Sequence, residues 1–246
     1  MLVVGGLEPS GRAGLLADAE AVRARGGVPV LAASSVTAQG RTTFSFEPVR
    51  PVLVGAQIRA ARELGPVHAV KLGVVPGPGQ LAAVRRALGR LDVPWVVDPV
   101  VRSSTGGRLS ALSARAYRAL AGAPVWVTPN AVEAGWLLGQ PPLRTAGEAR
   151  DAARALVELG FGGVVVKGGH LAGASAVDVL ATQKGTWLLR SARLPRGPHH
   201  RGTGCRLASA LATELGRGTT PLEALRRARA VVRAYLRTRP AAPRSR

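Results

Sequence analysis

The sequence predicts an α/β fold: a mainly parallel sheet with helices on both faces and an antiparallel edge. Three observations carry that prediction. Short β-branched runs alternate with longer Ala/Leu/Arg segments over most of the 246 residues, the pattern of strand–helix–strand units. Runs such as Val28–Ser35 read as buried strands, as parallel sheets require. Late in the chain, two runs flank Gln183-Lys184-Gly185 as the arms of a hairpin. No internal repeat is present, which disfavours an eight-fold barrel. The length suffices for a substantial core and no composition shift marks a boundary. Residues 1–239 therefore read as a single domain and 240–246 as a frayed tail.

In chain order, Leu2–Val4 is a first strand. Leu15–Arg25 is a helix, with Leu15, Ala19 and Val22 at helical spacing and Gly26-Gly27 ending it. Val28–Ser35 is a strand and Thr42–Phe46 a short exposed one. Pro51–Leu64 is a helix entered through proline and left through Gly65. Strand His68–Val75, helix Gln80–Leu91 and strand Trp95–Val97 follow. Helix Leu112–Ala121 and strand Val125–Val127 come next. Helices Ala131–Leu138 and Glu148–Leu159 precede strand Gly163–Val166. Ala176–Ala181 and Thr186–Arg190 make the hairpin. Helices Thr203–Leu215 and Leu222–Arg237 finish the chain.

Lys+Arg is 34 against 14 for Asp+Glu, a formal net charge of +20. Such a charge suggests nucleic acid or an anionic membrane as a partner. The composition offers a plainer origin. Lysine occurs only at Lys71, Lys167 and Lys184, Asn130 is the one Asn and Ile58 the one Ile. Scarce Lys, Asn and Ile beside abundant Ala, Gly, Arg and Pro is the mark of a GC-rich coding bias. No specific nucleic-acid partner is expected. No run approaches the length of a membrane span, and no signal segment opens the chain. The single cysteine excludes a disulfide within the chain. His68, His170, His199 and His200 show no zinc-site spacing. A cytoplasmic protein without membrane contact is the expectation.

Ligands of open α/β sheets sit beyond the carboxyl ends of the strands. Polar and glycine clusters recur there: Gly5–Gly11, Asp98-Pro99, Thr128-Pro129-Asn130 and Lys167-Gly168-Gly169-His170. The sharpest cluster is Gly202-Thr203-Gly204-Cys205, which opens an apolar helix. Glycines let successive N–H groups face one side, and a helix start adds its positive dipole end. That makes an anion hole suited to a transferring phosphoryl group, or a plain glycine turn before a core helix. Cys205 would sit in the first turn, where a thiol's pKa is lowered. Asn130 and Glu133 share one helix mouth. They can organise Mg²⁺-bound water around phosphates, or cap the helix reciprocally. The one Asn of the chain falls here. Two of the rare lysines, Lys71 and Lys167, end strands, where a compact ammonium is wanted. Lys167 suits phosphate and Lys71 a structural or substrate-side role. Asp98 suits Mg²⁺ or support of the anion hole, or a turn before Pro99. Asp18 and Gln39 could bond a heterocycle, although spacing alone makes them a solvated helix Asp and a loop Gln.

Together these segments resemble the hydroxymethylpyrimidine/phosphomethylpyrimidine kinases of thiamine biosynthesis, in the ribokinase-like superfamily. The marks run in order: Pro9-Ser10-Gly11-x-Ala13-Gly14 with Ala17-Asp18, Val36-Thr37-Ala38-Gln39 and Lys71-x-Gly73. Next come Asp98-Pro99-Val100, Thr128-Pro129-Asn130-x-x-Glu133-Ala134, Val166-Lys167-Gly168-Gly169-His170 and Gly202-Thr203-Gly204-Cys205. The resemblance implies a ribokinase-like three-layer α/β/α fold, with ATP and Mg²⁺ as cofactors and a homodimer as the assembly. It implies transfer of the ATP γ-phosphoryl group to hydroxymethylpyrimidine and then to its monophosphate. By that resemblance Asp18, Gln39, Val74 and Val100 contact the pyrimidine. Cys205 receives the hydroxyl proton, and Gly202, Thr203 and Gly204 form the anion hole. Glu133 and Asp98, with Asn130, organise Mg²⁺, and Lys167 meets ATP phosphate. This chain departs from the family pattern at Leu7, Glu8, Arg12, Val74, Gly107, Arg201 and Arg206. Two other readings compete: a pyridoxal-type kinase on the same scaffold, and a catalytically weakened homologue that binds nucleotide or polyanion.

Overall fold

A computed structural model describes residues 1–39, 43–103, 106–169, 171–194 and 200–238. Thr42, His170, His199 and the tail expected at 240–246 lie outside the described residues. The chain runs β1 (Leu2–Leu7), α1 (Gly14–Ala24), β2 (Val30–Gln39), β3 (Phe44–Pro48), α2 (Pro51–Glu63), β4 (Val70–Leu72) and α3 (Pro78–Leu88). It continues β5 (Trp95–Val97), α4 (Ala114–Arg118), β6 (Gly122–Val127), α5 (Ala131–Leu138), α6 (Ala146–Glu158) and β7 (Phe161–Val166). It ends β8 (Ser175–Thr182), β9 (Gly185–Ala192), α7 (Thr203–Leu215) and α8 (Pro221–Thr238).

These strands form one sheet in the order β3-β2-β1-β4-β5-β6-β7-β8-β9. The pairs from β2 through β7 are parallel. Alternation along each strand sends neighbours to opposite faces. Leu2, Val4, Trp95, Val97, Val125, Val127, Val164 and Val166 join the core beneath α2, α3, α5 and α6. Val96, Trp126 and Val165 face α7 and α8, and Val3 packs with Leu15 and Val22 of α1. Both faces are thus covered, which is why these runs are apolar throughout rather than alternating. Among the described residues, no helix is long and apolar enough to cross a membrane.

Several elements differ from the sequence expectation, among them β1, which runs on to Leu7. Antiparallel strands flank both edges, because β3 pairs with β2 as well as β8 and β9 closing the far side. β2 runs on to Gln39, which pairs with Phe44, so Gln39 ends a strand rather than sitting in a loop. The helix expected at 112–121 shortens to α4. Ser113 caps it by accepting from the Ala116 N–H at 3.2 Å, and Ser110 Oγ ties the preceding segment to the Val75 carbonyl at 2.6 Å. β4 ends at Leu72, where the Lys71 ammonium leaves no room for a Cβ on Gly73 (2.6 Å).

The chain leaves β1 for β2 on one side and returns to β4 on the other. The carboxyl ends of β1 and β4 therefore diverge, and such a switch point opens a crevice. Gly168 shows how closely the far wall is packed. Its N–H donates to Asp178 Oδ1 at 2.8 Å, and a Cβ there would lie 1.6 Å from the Val177 carbonyl oxygen. Gly168→Ala should cost about 2–3 kcal/mol through that overlap and lower the melting temperature by roughly 5–10 °C. An unchanged melting curve would show that the β7–β8 contact yields freely.

Candidate active site

The crevice is a cleft of about 1010 Å³, and every site residue expected from the sequence lines it. The ends of β1, β2, β4, β5, β6 and β7 meet the start of α7 there. Gly202 caps α7 in the left-handed region (φ +73°) with no side-chain cap. A Cβ on it would strike the Arg12 carbonyl oxygen at 2.2 Å. The first intrahelical bond is Arg206 N–H to Gly202 carbonyl, 3.0 Å. Among the described residues, the N–H groups of Thr203, Gly204 and Cys205 have no acceptor. They are donors at the positive end of a 13-residue helix.

Lys167 stands at this helix end. Its Nζ lies 2.6 Å from Asp98 Oδ1 and 3.7 Å from Glu133 Oε2. Gly204 lets the helix approach it, since a Cβ there would be 3.1 Å from the ammonium and 3.6 Å from Asp98 Oδ2. Burial works against the Lys167 charge, but Asp98 and Glu133 outweigh it and its pKa is raised. Burial pushes the Glu133 carboxyl up to about 7, with Lys167 opposing and Asp98 reinforcing. The capping reading of Asn130 and Glu133 is realised in full. Asn130 Oδ1 accepts from the Val132 and Glu133 N–H groups at 2.9 Å, and Glu133 Oε2 accepts from the Asn130 N–H at 2.8 Å. Among the described residues, no set of three or more His, Cys, Asp or Glu side chains encloses a metal. The pair Asp98 and Glu133 fits Mg²⁺, which takes one or two carboxylates and completes its shell with water and phosphate oxygens.

Deeper in the cleft, Asp18 is fully buried rather than solvated. Lys71 Nζ donates to its Oδ2 at 2.8 Å and Ser209 Oγ to its Oδ1 at 2.7 Å. Lys71 is equally buried, and although burial opposes its charge, Asp18 holds its pKa raised. The helix start was expected to lower the Cys205 pKa. Instead burial pushes it up to about 11, with Lys71 and the Gly14 N–H only partly opposing. Val74 and Val100 line the same space.

The rim holds residues whose roles the spacing did not reveal. Arg201 binds Glu8 Oε1 at 3.2 Å and also donates to Gln39 Oε1. Ser10 donates to the same Glu8 oxygen. Arg206, buried, donates to the Arg12 carbonyl at 2.8 Å, pairs with Glu20 and stacks 3.8 Å over the Tyr235 ring. Tyr235 in turn donates to the Arg201 carbonyl at 3.0 Å. Apart from Ser10 and Glu8, these partners lie far apart in sequence, so no local pattern could announce them. The only sequence signal was that Glu8, Arg201 and Arg206 break the family pattern.

Removing one member of the buried Asp18–Lys71 pair strands the other charge. Lys71→Met should cost about 3–5 kcal/mol, read as a lower urea midpoint, and adding Asp18→Asn should restore part of it. Equal stability of Lys71→Met and the parent would mean that the pair is not buried. The raised Cys205 thiol should react with iodoacetamide about 10²-fold more slowly at pH 8 than a thiol at its ordinary value of 9.0. Its rate should still climb at pH 10, and a plateau near pH 8 would contradict this environment.

Residues 8–244 match the sequence model of the phosphomethylpyrimidine kinase family. The hydroxymethylpyrimidine/phosphomethylpyrimidine kinase of Rhizobium meliloti is 33% identical over 239 residues, covering 96% of this chain and 89% of that protein. The probable thiamine biosynthetic bifunctional enzyme of Oryza sativa is 35% identical over 96% of this chain. There the chain spans 44% of the relative's length. Among solved structures, an ADP complex of Bacillus subtilis pyridoxal kinase superposes with a TM-score of 0.82 and 26% identity. That match covers 93% of this chain and 88% of the other. The sequence match over nearly all of its length, on this fold, shows that the chain belongs to the phosphomethylpyrimidine kinase family.

Proposed function

We propose that the chain phosphorylates 4-amino-5-hydroxymethyl-2-methylpyrimidine and then its monophosphate, using ATP, in thiamine biosynthesis. One observation carries the reading. A second cavity of about 410 Å³ meets the main cleft at Asn130, Lys167, Thr203 and Gly204, which line both. Two reactants approaching from the two sides would meet where the helix donors and the ammonium converge. Phosphoryl transfer asks for that positioning and charge neutralisation and for little else.

In this reading the main cleft takes the pyrimidine against Asp18, Gln39, Val74 and Val100, and the side cavity takes the nucleotide. The hydroxymethyl oxygen forms a bond to the γ-phosphorus, and the bond from that phosphorus to the β–γ bridging oxygen breaks, releasing ADP. Gly202, Thr203 and Gly204 frame the anion hole, whose N–H donors stabilise the charge on the transferred group. Lys167 meets ATP phosphate, with Asn130 holding the adjoining helix mouth. Asp98 and Glu133 would hold Mg²⁺, which when bound neutralises phosphate charge. Cys205 takes the hydroxyl proton as its thiolate, a form that Lys71 favours and burial opposes. The loose transition state lets that proton leave late. The kinase unit is taken as residues 1–239. A homodimer is part of the proposal, and the exposed Leu31, Val36 and Phe44 on the β2–β3 edge offer it apolar surface.

The pyridoxal reading has its own support in the likeness to the Bacillus subtilis pyridoxal kinase. Turnover assays with the pyrimidine, its phosphate and pyridoxal, side by side with ATP and Mg²⁺, separate the two. The pyrimidine and its phosphate should be the better substrates, and a higher kcat/KM for pyridoxal would reverse the assignment. The rate should rise with pH into the alkaline range, since the thiolate becomes more abundant toward about 11. Cys205→Ala should lose about 10²–10⁴-fold in kcat, and that pH slope with it. Full activity in Cys205→Ala would remove it as proton acceptor.

A further inference from the structure

Among the described residues, five cations line the main cleft: Lys71, Lys167, Arg201, Arg102 and Arg108. Three are neutralised where they stand. Lys71 meets Asp18 at 2.8 Å, Lys167 meets Asp98 at 2.6 Å and Arg201 meets Glu8 at 3.2 Å. No described carboxylate lies within ion-pair distance of Arg102 or Arg108, and both side chains are exposed. Each guanidinium is tethered by one backbone carbonyl instead. Arg102 Nη1 donates to Gly106 at 3.2 Å and Arg108 Nε to Ser110 at 3.0 Å. A guanidinium carries several donors in a planar fork, so each tether leaves most of the fork for solvent or a ligand.

The fold sets the two side by side. Arg102 and Arg108 stand directly opposite in an antiparallel bridge, which sends both side chains to one face. Like charges in that register repel, yet the ribbon holds them there. The Leu109 N–H donates to the Val101 carbonyl at 2.9 Å and the Ser103 N–H to the Gly107 carbonyl at 2.7 Å. Ser103 Oγ accepts from the Gly107 N–H at 3.0 Å, and Gly106 turns the ribbon in the left-handed region (φ +92°). Phe44 of β3 rests on Gly107, where a Cβ would lie 2.5 Å from its ring. Two cations fixed on one face of the cleft, without a counter-charge, suit an anion that arrives and leaves.

We infer that Arg102 and Arg108 form a phosphate-capture site that draws the phosphorylated pyrimidine into the main cleft. The inference rests on the proposed substrate class and deepens it. Of the two pyrimidines in that reading, the alcohol is neutral and the monophosphate is an anion, so the pair of arginines separates them. ATP is also an anion, but in the same reading it enters by the side cavity, whose lining includes neither arginine.

The experiment compares the full chain with the double variant Arg102→Gln/Arg108→Gln, using the alcohol and the monophosphate with ATP and Mg²⁺. The ratio of kcat/KM for the monophosphate to that for the alcohol should fall about 10-fold, through KM rather than kcat. Both substrates use the same nucleotide, so the ratio cancels effects on it. Raising the ionic strength from about 0.01 to about 0.15 M shortens the screening length from about 30 to about 8 Å. That change should lower the ratio in the parent and much less in the variant. Arg102→Lys/Arg108→Lys keeps both charges and should keep most of the salt response. A ratio that the double Gln variant leaves unmoved overturns the proposal. An equal loss for both pyrimidines, the mark of a merely structural role, also overturns it, as does a loss confined to KM for ATP. Calorimetry with each pyrimidine alone separates this inference from the kinase reading. Turnover of both compounds with an unmoved ratio sinks the inference and leaves the kinase standing. Arginine-dependent binding of the monophosphate without turnover does the opposite, and no binding of either compound sinks both.

Discussion

Lys167 holds Asp98 at 2.6 Å and reaches to 3.7 Å from Glu133, joining the ends of β5 and β7 to the first turn of α5. The start of α7 packs on the same ammonium through Gly204. Desolvating such a group is expensive, and a buried ion pair is weak evidence of net stabilisation. Its presence makes sense as preorganisation, because charges fixed before the reaction need no rearrangement during it. The elevated carboxyl of Glu133 reflects burial first, and then Asp98 beside it, since two acids share one cation. An added cation and added phosphates would relieve both sides at once. This favours a site completed by its substrates over one finished in their absence.

Asp18 and Lys71 repeat the arrangement one strand further in. A Cβ at Gly73 would lie 2.6 Å from the Lys71 ammonium, so glycine there is what lets the compact ammonium sit at the strand end. In a chain whose cations are otherwise almost all arginine, the lysines at these two strand ends reflect shape as well as charge. Lys71 also couples Asp18 to Cys205, favouring the ionised form of each. Lys71 and the Gly14 N–H favour the thiolate at this helix start, and burial outweighs them.

The parts of the fold legible in sequence are those set by local chemistry. Strand runs, glycine stops and the helix opening at Thr203 follow from propensity and period, and α7 begins and ends where the pattern placed it. The extension of β2 to Gln39 was not legible, because its partner β3 is a largely exposed strand with mixed polarity. Nor was the fate of Asp18, whose burial depends on Ser209 of α7, 191 residues away. For Asn130 and Glu133 the two sequence readings are compatible. The capping bonds use Asn130 Oδ1 and Glu133 Oε2 and leave the second Glu133 oxygen for other work.

The arginine excess divides into two populations. Many of these arginines lie at exposed helix positions, where solvent screening makes each charge weak. A smaller set is structural at the site. Arg206 clamps the start of α7 to the Arg12 carbonyl and Tyr235, and Arg201 holds Glu8 and Gln39. Arg193 donates to the carbonyls of Gly169, Leu171 and Gly173. Arg229 meets Asp178 at 2.9 Å, and Asp178 supports the Gly168 N–H. A guanidinium has several donors in one rigid plane, so it can hold loop carbonyls that no strand ladder reaches. An arginine-rich composition thus supplied the clamps, and the two departures at Glu8 and Arg201 meet each other in one ion pair.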